Sequence, residues 1–291
     1  MILLWGAATD PPLAAVYAAL SRRSAPVALI DVENGACSVQ LTVDPEVRGS
    51  LCVDDTAIDL FAVKGVYLRP AVPAVGSERA VVHEALWAFS EVTPAIVLNR
   101  PAAMAGNGSK PYQAVQARAV GFATPDTLIT TSVVAAREFA SRHGEVIYKS
   151  TSGVRSVVAM LDLADSERLA DLETCPTQLQ ERVAGVDVRV HVVGPLVFAC
   201  EVRSSAVDYR YAERDGLDVE IRSIELPPDI AARCLSLAAL AELPLAGIDL
   251  RRTPDGDWYC FEINPSPGFT YYANTTGQPV ADAIAELLLA G

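Results

Sequence analysis

Much that would classify a chain quickly is missing here. The six cysteines, at positions 37, 52, 175, 200, 234 and 260, lie far apart with no CxxC pair, and the three histidines do not cluster. That pattern excludes a zinc site or a disulfide framework and suits buried thiols in a reducing compartment. Positive charge is also scarce: 23 Lys and Arg stand against 36 Asp and Glu, a formal net charge of −13. A general nucleic-acid binder would need a basic stripe, although a local basic pocket for an anion remains compatible with this balance. No apolar run reaches membrane-spanning length, since the leucine-rich stretch after Cys234 is broken by Glu242 and Pro244. The opening MILLWGAATDPP has no basic n-region and too short an apolar run for a signal segment. Internal repeats and low-complexity linkers are absent as well. The expectation is a soluble, cytoplasmic protein with neither nucleic acid nor membrane as a partner.

At 291 residues the chain suits two or three packed lobes. Its first third alternates elements: strands at MILLWGA, PVALIDV, CSVQLTV, VKGVYLRP and AIVLNRP, with helices from Asp10 to about Arg23 and from Ser77 to Val92. This alternation predicts a small α/β domain with a largely parallel sheet. Ser109 then caps a helix with Pro111 in its first turn. TLITT and EVIYKS read as strands around a helix from Ser132 to His143, and SVVAML as a hairpin return strand. The segments TQLQERV, VDVRVHVV, PLVFACEVRSS, GIDLRR and WYCFEI form a run of strands typical of an antiparallel sheet, flanked by helices at 229–242 and 279–290. The divisions expected are 1–105, 106–180 and 181–291.

The stretch WYCFEINPSPGF carries the chemistry. It reads as a core strand, yet it ends on Glu262 and Asn264 before Pro-Ser-Pro-Gly. Thr253-Pro254-Asp255-Gly256-Asp257 is strong turn chemistry, so GIDLRR and WYCFEIN form a hairpin. If Pro254 to Asp257 make the loop, Thr253 pairs with Trp258 and Asp249 falls opposite Glu262. Residues two apart share a face, so Asp249, Glu262 and Asn264 converge. Opposed carboxylates repel unless a cation lies between them, and oxygen donors without His or Cys suit Mg²⁺. The alternative is an edge strand on which each acid faces solvent beside an arginine such as Arg251.

These residues resemble the C-terminal metal motif of the ATP-grasp ligases, and the likeness extends back to about Asn99. VYLRP, the segment from Asn99 to Thr131 and DYR most resemble the microviridin-type (graspetide) peptide maturases, relatives of the ribosomal-protein glutamate ligases. The resemblance implies an ATP-grasp fold, α/β and α+β, with an N-terminal pre-ATP-grasp domain, a central α+β subdomain and a C-terminal antiparallel-sheet subdomain. It implies ATP and one or two Mg²⁺ ions, held by Asp249, Glu262 and Asn264. Lys149 and Lys110 would contact the nucleotide. Gln180, Glu181 and Val183 would line the adenine, the last two through their backbone, and Asp187 would lie near the ribose. Arg189 and Arg203 would stabilise the transferring phosphoryl group and the acyl-phosphate. Asp208 and Arg210 of DYR would lie near the acceptor site; Arg69, at the end of a first-domain strand, would either meet an acidic peptide substrate or cap the sheet.

KSTSGVRS departs from the glycine-rich phosphate flap of many members, because it offers only Gly153 beside Ser150, Thr151 and Ser152; a phosphate lid here would bind the nucleotide through Ser152 and Gly153, with hydroxyls and fewer close backbone N–H groups. VYLRP has Leu and Pro where the subfamily favours further aromatic and basic residues. The activity implied is an ATP-dependent carboxylate–amine or carboxylate–hydroxyl ligase, crosslinking a peptide through an acyl-phosphate. Alternatives are addition of a free amino acid to a peptide or small carboxylate, and a non-catalytic nucleotide-binding scaffold. A homodimer is the default that the family suggests. His191 alternates with valines on its strand and reads more readily as a satisfied sheet histidine than as a base. Lys149, Arg189 and Arg203 each have a plain alternative as solvated strand residues.

Overall fold

The computed structural model describes residues 1–31, 37–43, 47–53, 56–71, 78–150, 158–162, 171–204, 209 and 216–291. Four sheets organise them. The first has the order β2-β1-β6-β7 and is parallel throughout: β1 (Ile2–Gly6), β2 (Val27–Ile30), β6 (Gly65–Arg69) and β7 (Ile96–Leu98). Its β1 and β6 are almost wholly buried, as expected of a parallel sheet covered on both faces. Between β1 and β2 runs α1 (Pro11–Arg22), opened by Asp10, whose carboxylate accepts from the Leu13 N–H, with proline in its first turn. Before β7 comes α2 (Glu78–Val92).

CSVQLTV does not join this sheet. As β3 (Cys37–Val43) it pairs with β4 (Val47–Val53), and β4 pairs with β5 (Thr56–Asp59), giving a separate antiparallel meander. Leu51, Ile58 and Leu60 carry this meander onto the core below Trp5 and Phe89.

After α3 (Pro101–Met104), α4 (Lys110–Ala119) begins on its Ser109 cap, which accepts from the Tyr112 N–H. A third sheet follows in the order β10-β9-β11-β8: β8 (Thr127–Thr130), α5 (Val133–His143) beside it, β9 (Val146–Ser150), β10 (Ala159–Met160) and β11 (Thr177–Glu181). TQLQERV therefore belongs here and not with the strands after it.

Those strands make the fourth sheet, β14-β13-β12-β15-β16, antiparallel throughout. Its members are β12 (Val186–Val193), β13 (Leu196–Ser204), β14 (Val219–Ile224), β15 (Leu245–Arg252) and β16 (Trp258–Asn264). One face is closed by α6 (Pro228–Leu240), whose Ile230, Cys234, Leu237 and Ala238 pack on Val188, Val190, Ile248 and Leu250. The chain ends in α7 (Thr270–Thr276) and α8 (Val280–Leu289). The last helix returns to the first sheet. Ile284 and Leu288 share a core with Leu4, Leu13, Tyr67 and Leu245, while Arg22 and Arg23 pair with Asp282 and Glu286. Packing at both ends of the chain thus fixes where β15 and β16 emerge.

Candidate active site

The β15–β16 hairpin contains one extra residue, and that residue makes the site. Arg252 pairs with Trp258, Arg251 with Tyr259 and Leu250 with Cys260. The register then shifts, and Asp249 pairs with Glu262, Ile248 with Ile263 and Gly247 with Asn264. Phe261 is the added residue of a β-bulge. Cys260 faces the core beneath α6, so in a regular strand Glu262 and Asn264 would face it too. The bulge reverses the alternation: Ile263 enters the core, and Glu262 and Asn264 turn to the face of Asp249. The loop is also one residue longer than the sequence suggests, running from Thr253 to Asp257, with Thr253 unpaired in the ladder. The longer loop and the bulge offset each other, so the expected Asp249–Glu262 pairing holds by a different route.

Two cations meet these acids. Arg189 on β12 is the cross-strand partner of Asp249, and its Nη1 lies 2.6 Å from Oδ1. The Arg189 side chain is only 7% exposed and that of Asp249 29%. Burial works against the Arg189 charge, but Asp249, with Tyr272 and Tyr209 beside it, raises its pKa above the ordinary value. Lys110, at the start of α4, stands 3.4 Å from a Glu262 oxygen. That helix is stitched to β16 by buried Gln113, whose amide donates to the Ile263 carbonyl at 2.8 Å and accepts from its N–H at 3.4 Å. The Asn264 side-chain oxygen accepts from the Ser266 N–H at 2.8 Å, which shapes the exit into NPSPGF.

Buried Asn99 aligns the two strand ends. Its amide donates to the carbonyls of Leu245 and Pro265, and its oxygen accepts from the Leu245 N–H. Arg69, for which substrate contact and sheet capping are the two readings, donates to Asp10, Ser266 and the Pro267 carbonyl. It ties β6 and the start of α1 to the same loop.

The third sheet presents the other expected groups. Lys149 on β9 is buried, and its Nζ lies 3.3 Å from the Gln180 side-chain oxygen on β11. Gln180 in turn donates to the Thr127 hydroxyl at 3.0 Å. The Glu181 carboxylate turns aside to the Asp126 N–H and to His143, which is consistent with a contribution through its backbone. The Val183 carbonyl accepts from Arg251, and Asp187 is bound by the same guanidinium at 2.7 and 2.8 Å. Asp187 shares the face of Arg189 and Asp249, two residues along β12.

Arg203 is not brought to this group. Cys200 is the partner of Arg189 across β12 and β13, and Arg203 lies three residues beyond it, an odd offset that places it on the opposite face. There Arg203, Arg222 and Arg252 converge on Glu201, whose side chain is 2% exposed. Ser152, Gly153, Asp208 and Arg210 lie outside the described residues.

Sequence reading passed over Asn99, Gln113 and Gly247, although the first two are buried amides of the kind that must find partners. A further signal was available: the chain has only three lysines, and Lys110 and Lys149 are two of them. The donor set itself fits Mg²⁺. It comprises two carboxylates and an amide oxygen on one face, without sulfur or imidazole, and each carboxylate carries a positive neighbour where a cation is needed.

Comparison with known proteins adds to this geometry. Residues 177–288 match the RimK-like ATP-grasp domain family. A probable alpha-L-glutamate ligase of Picosynechococcus sp. is 34% identical over 114 residues, 38% of this chain and 37% of that protein. Its counterpart in Vibrio atlanticus is 29% identical over 109 residues, 37% of this chain and 35% of that protein. The chain thus spans little more than a third of the length of the curated relatives it matches. Among solved structures, the ATP-grasp ligase PsnB complexed with minimal precursor superposes with a TM-score of 0.84 at 25% identity, covering 99% of this chain and 98% of that one. The macrocyclase MdnC bound with precursor peptide MdnA, from Microcystis aeruginosa MRC, gives 0.83 at 21% identity over 100% of both chains, a likeness of fold.

Proposed function

For a chain with the ATP-grasp fold and a RimK-like ATP-grasp domain over residues 177–288, we propose an ATP- and Mg²⁺-dependent ligase that crosslinks a peptide through its own carboxylates. The observation that carries this reading is the bulged hairpin, which sets Asp249, Glu262 and Asn264 on one face beside Arg189 and Lys110. Support for a peptide substrate comes from PsnB, whose solved complex contains a precursor.

In the first step a substrate carboxylate oxygen attacks the γ-phosphorus, the bond to the bridging oxygen breaks, and ADP leaves. Phosphoryl transfer is governed by positioning and charge. Mg²⁺ held by Asp249, Glu262 and Asn264 would supply charge neutralisation on the phosphates. Lys149, pinned by Gln180, meets the nucleotide from the third sheet, and Lys110 meets it from the start of α4. Arg189 is a permanent cation at the transferring group. In the second step an amine or hydroxyl attacks the acyl carbon, phosphate leaves, and the attacking atom loses its proton. Each crosslink therefore costs one ATP and removes one water from the peptide.

The test is incubation with ATP, Mg²⁺ and acidic peptides that also carry Lys, Ser or Thr, followed by mass spectrometry and ADP measurement. Loss of one water per ADP supports the proposal. Gain of an amino-acid residue when free amino acids are present would replace it with the activity named for the glutamate-ligase relatives. Nucleotide binding with no turnover across such peptides would favour a scaffold.

A further inference from the structure

His191 takes no part in the steps above, yet it is fully buried beside their central cation. It sits on β12 two residues from Arg189, with 0% exposure. Its Nε2 lies 3.4 Å from the Arg189 Nε, and its ring centre is 5.4 Å from that of Tyr272. Its other nitrogen, Nδ1, is buried and has no hydrogen bond of good geometry among the described residues, while the Gly268 backbone lies near enough to the ring to favour a proton on it. Its cross-strand partner is Gly247.

Together these contacts define each side of the Arg189 guanidinium. Nη1 is held by Asp249 at 2.6 Å. Its face lies over the Tyr272 ring, 5.7 Å from the centroid, and Tyr272 is steadied by a 2.7 Å hydroxyl contact with Tyr209. Nη2 passes where a Cβ on Gly247 would stand. Among the described residues, His191 closes the Nε edge. Arginine has no acceptor, so the contact requires a lone pair on the imidazole Nε2. The ring must then be neutral, with its proton on Nδ1. A second cation here would instead repel Arg189, and burial together with Arg189 holds the His191 pKa well below its usual value.

We infer that His191 is a positioning residue: a neutral Nδ1–H imidazole that accepts from the Arg189 Nε–H and aims the Nη edge at the transferring phosphoryl group. This rests on the role proposed for Arg189, but the tautomer and the contact can be examined without turnover. A histidine that merely fills space could be exchanged for another side chain of similar volume. An acceptor at Nε2 can be replaced only by a group with oxygen at the same reach, which Gln provides and Asn or Leu does not.

The experiment has two readouts on the whole chain. In ¹⁵N-histidine-labelled protein at neutral pH, long-range ¹H–¹⁵N spectra should show the His191 ring with its proton on Nδ1, assigned by the signals lost in His191→Gln. In ¹⁵N-arginine-labelled protein, the Arg189 Nε–H should exchange slowly with water. The His191→Gln variant should retain slow exchange, while His191→Leu and His191→Asn should speed it about tenfold or more. An Nε2–H tautomer, a cationic ring, or equal exchange in all four proteins would overturn the inference. Should the ligase activity be present, kcat should fall about tenfold or more in the Leu and Asn variants and recover in the Gln variant, with the KM for ATP little changed. Equal kcat in all variants would remove the positioning role. Absence of activity in the parent protein would refute the proposed function and leave the spectra to decide the contact.

Discussion

Gly247→Ala tests how tightly the cation and the metal face are packed. Gly247 lies on β15 between the cross-strand partners His191 and Asn264. A Cβ there would overlap the Arg189 guanidinium and the Pro267 ring, so one or both must shift. Arg189 is anchored by Asp249 and Tyr272. Pro267 is held through its carbonyl by Arg69, within a loop that Asn99 also grips at Pro265. The single methyl must therefore displace an ion pair, the NPSPGF loop, or both. Overpacking of this kind costs about 1–3 kcal/mol, and each kcal/mol lowers Tm by roughly 2–4 °C in a chain of this order of size. Differential scanning fluorimetry should accordingly show Tm lower by several degrees. ATP turnover at a temperature where the variant stays folded should fall further, by about tenfold or more, because the displaced groups are those proposed to handle the phosphoryl group. A variant with the Tm and turnover of the parent protein would refute the packing argument.

Two further outcomes follow from buried polar groups. Asn99→Ala leaves the Leu245 and Pro265 carbonyls and the Leu245 N–H without their partner, so urea unfolding should show a loss of about 2–4 kcal/mol. An unchanged midpoint would show that the two strand ends do not depend on this amide. The second concerns pH. Burial and Arg189 depress the His191 pKa, and burial lowers that of His83. Between their folded values and the usual value of 6.5, the unfolded chain binds more protons than the folded one. Stability should therefore drop as pH falls from about 7.5 to 5.5, with at most about 1.4 kcal/mol per pH unit from each group. The depressed carboxyls of Glu201 and Asp282 act only at lower pH, where their unfolded forms begin to protonate. In His191→Gln the slope should shrink to the His83 share, and a slope identical to that of the parent would contradict the depressed pKa.

The fold was largely legible because its helices carry their own punctuation. Asp10, Ser109 and Ser132 each cap the helix that follows, and each cap accepts from the N–H three residues on. The parallel first sheet was readable from its apolar strands. The meander of β3 to β5 was not, because VRGSLCV is interrupted by Arg48, Gly49 and Ser50 and TAID is only four residues long. At the site, the trio of acids and amide was legible from its spacing, whereas the bulge that orients it was not. A one-residue bulge leaves no local signature when Phe261 is as good a strand residue as its neighbours. Arg203 was misplaced because strand parity depends on register across three strands, which the sequence of one strand does not contain. Lys149 and Asp249 could be named singly, but their partners Gln180 and Arg189 are set by pairing.

The central claim is that Asp249, Glu262 and Asn264 hold a divalent ion together with a nucleotide. The most direct measurement is Mn²⁺ binding followed by electron paramagnetic resonance in the presence of ADP, comparing the parent chain with Asp249→Asn/Glu262→Gln. The account predicts Mn²⁺ bound in a nucleotide-dependent manner by the parent and an affinity at least about tenfold weaker, or about 1.4 kcal/mol, in the double variant. Equal Mn²⁺ affinity in the two proteins would contradict it.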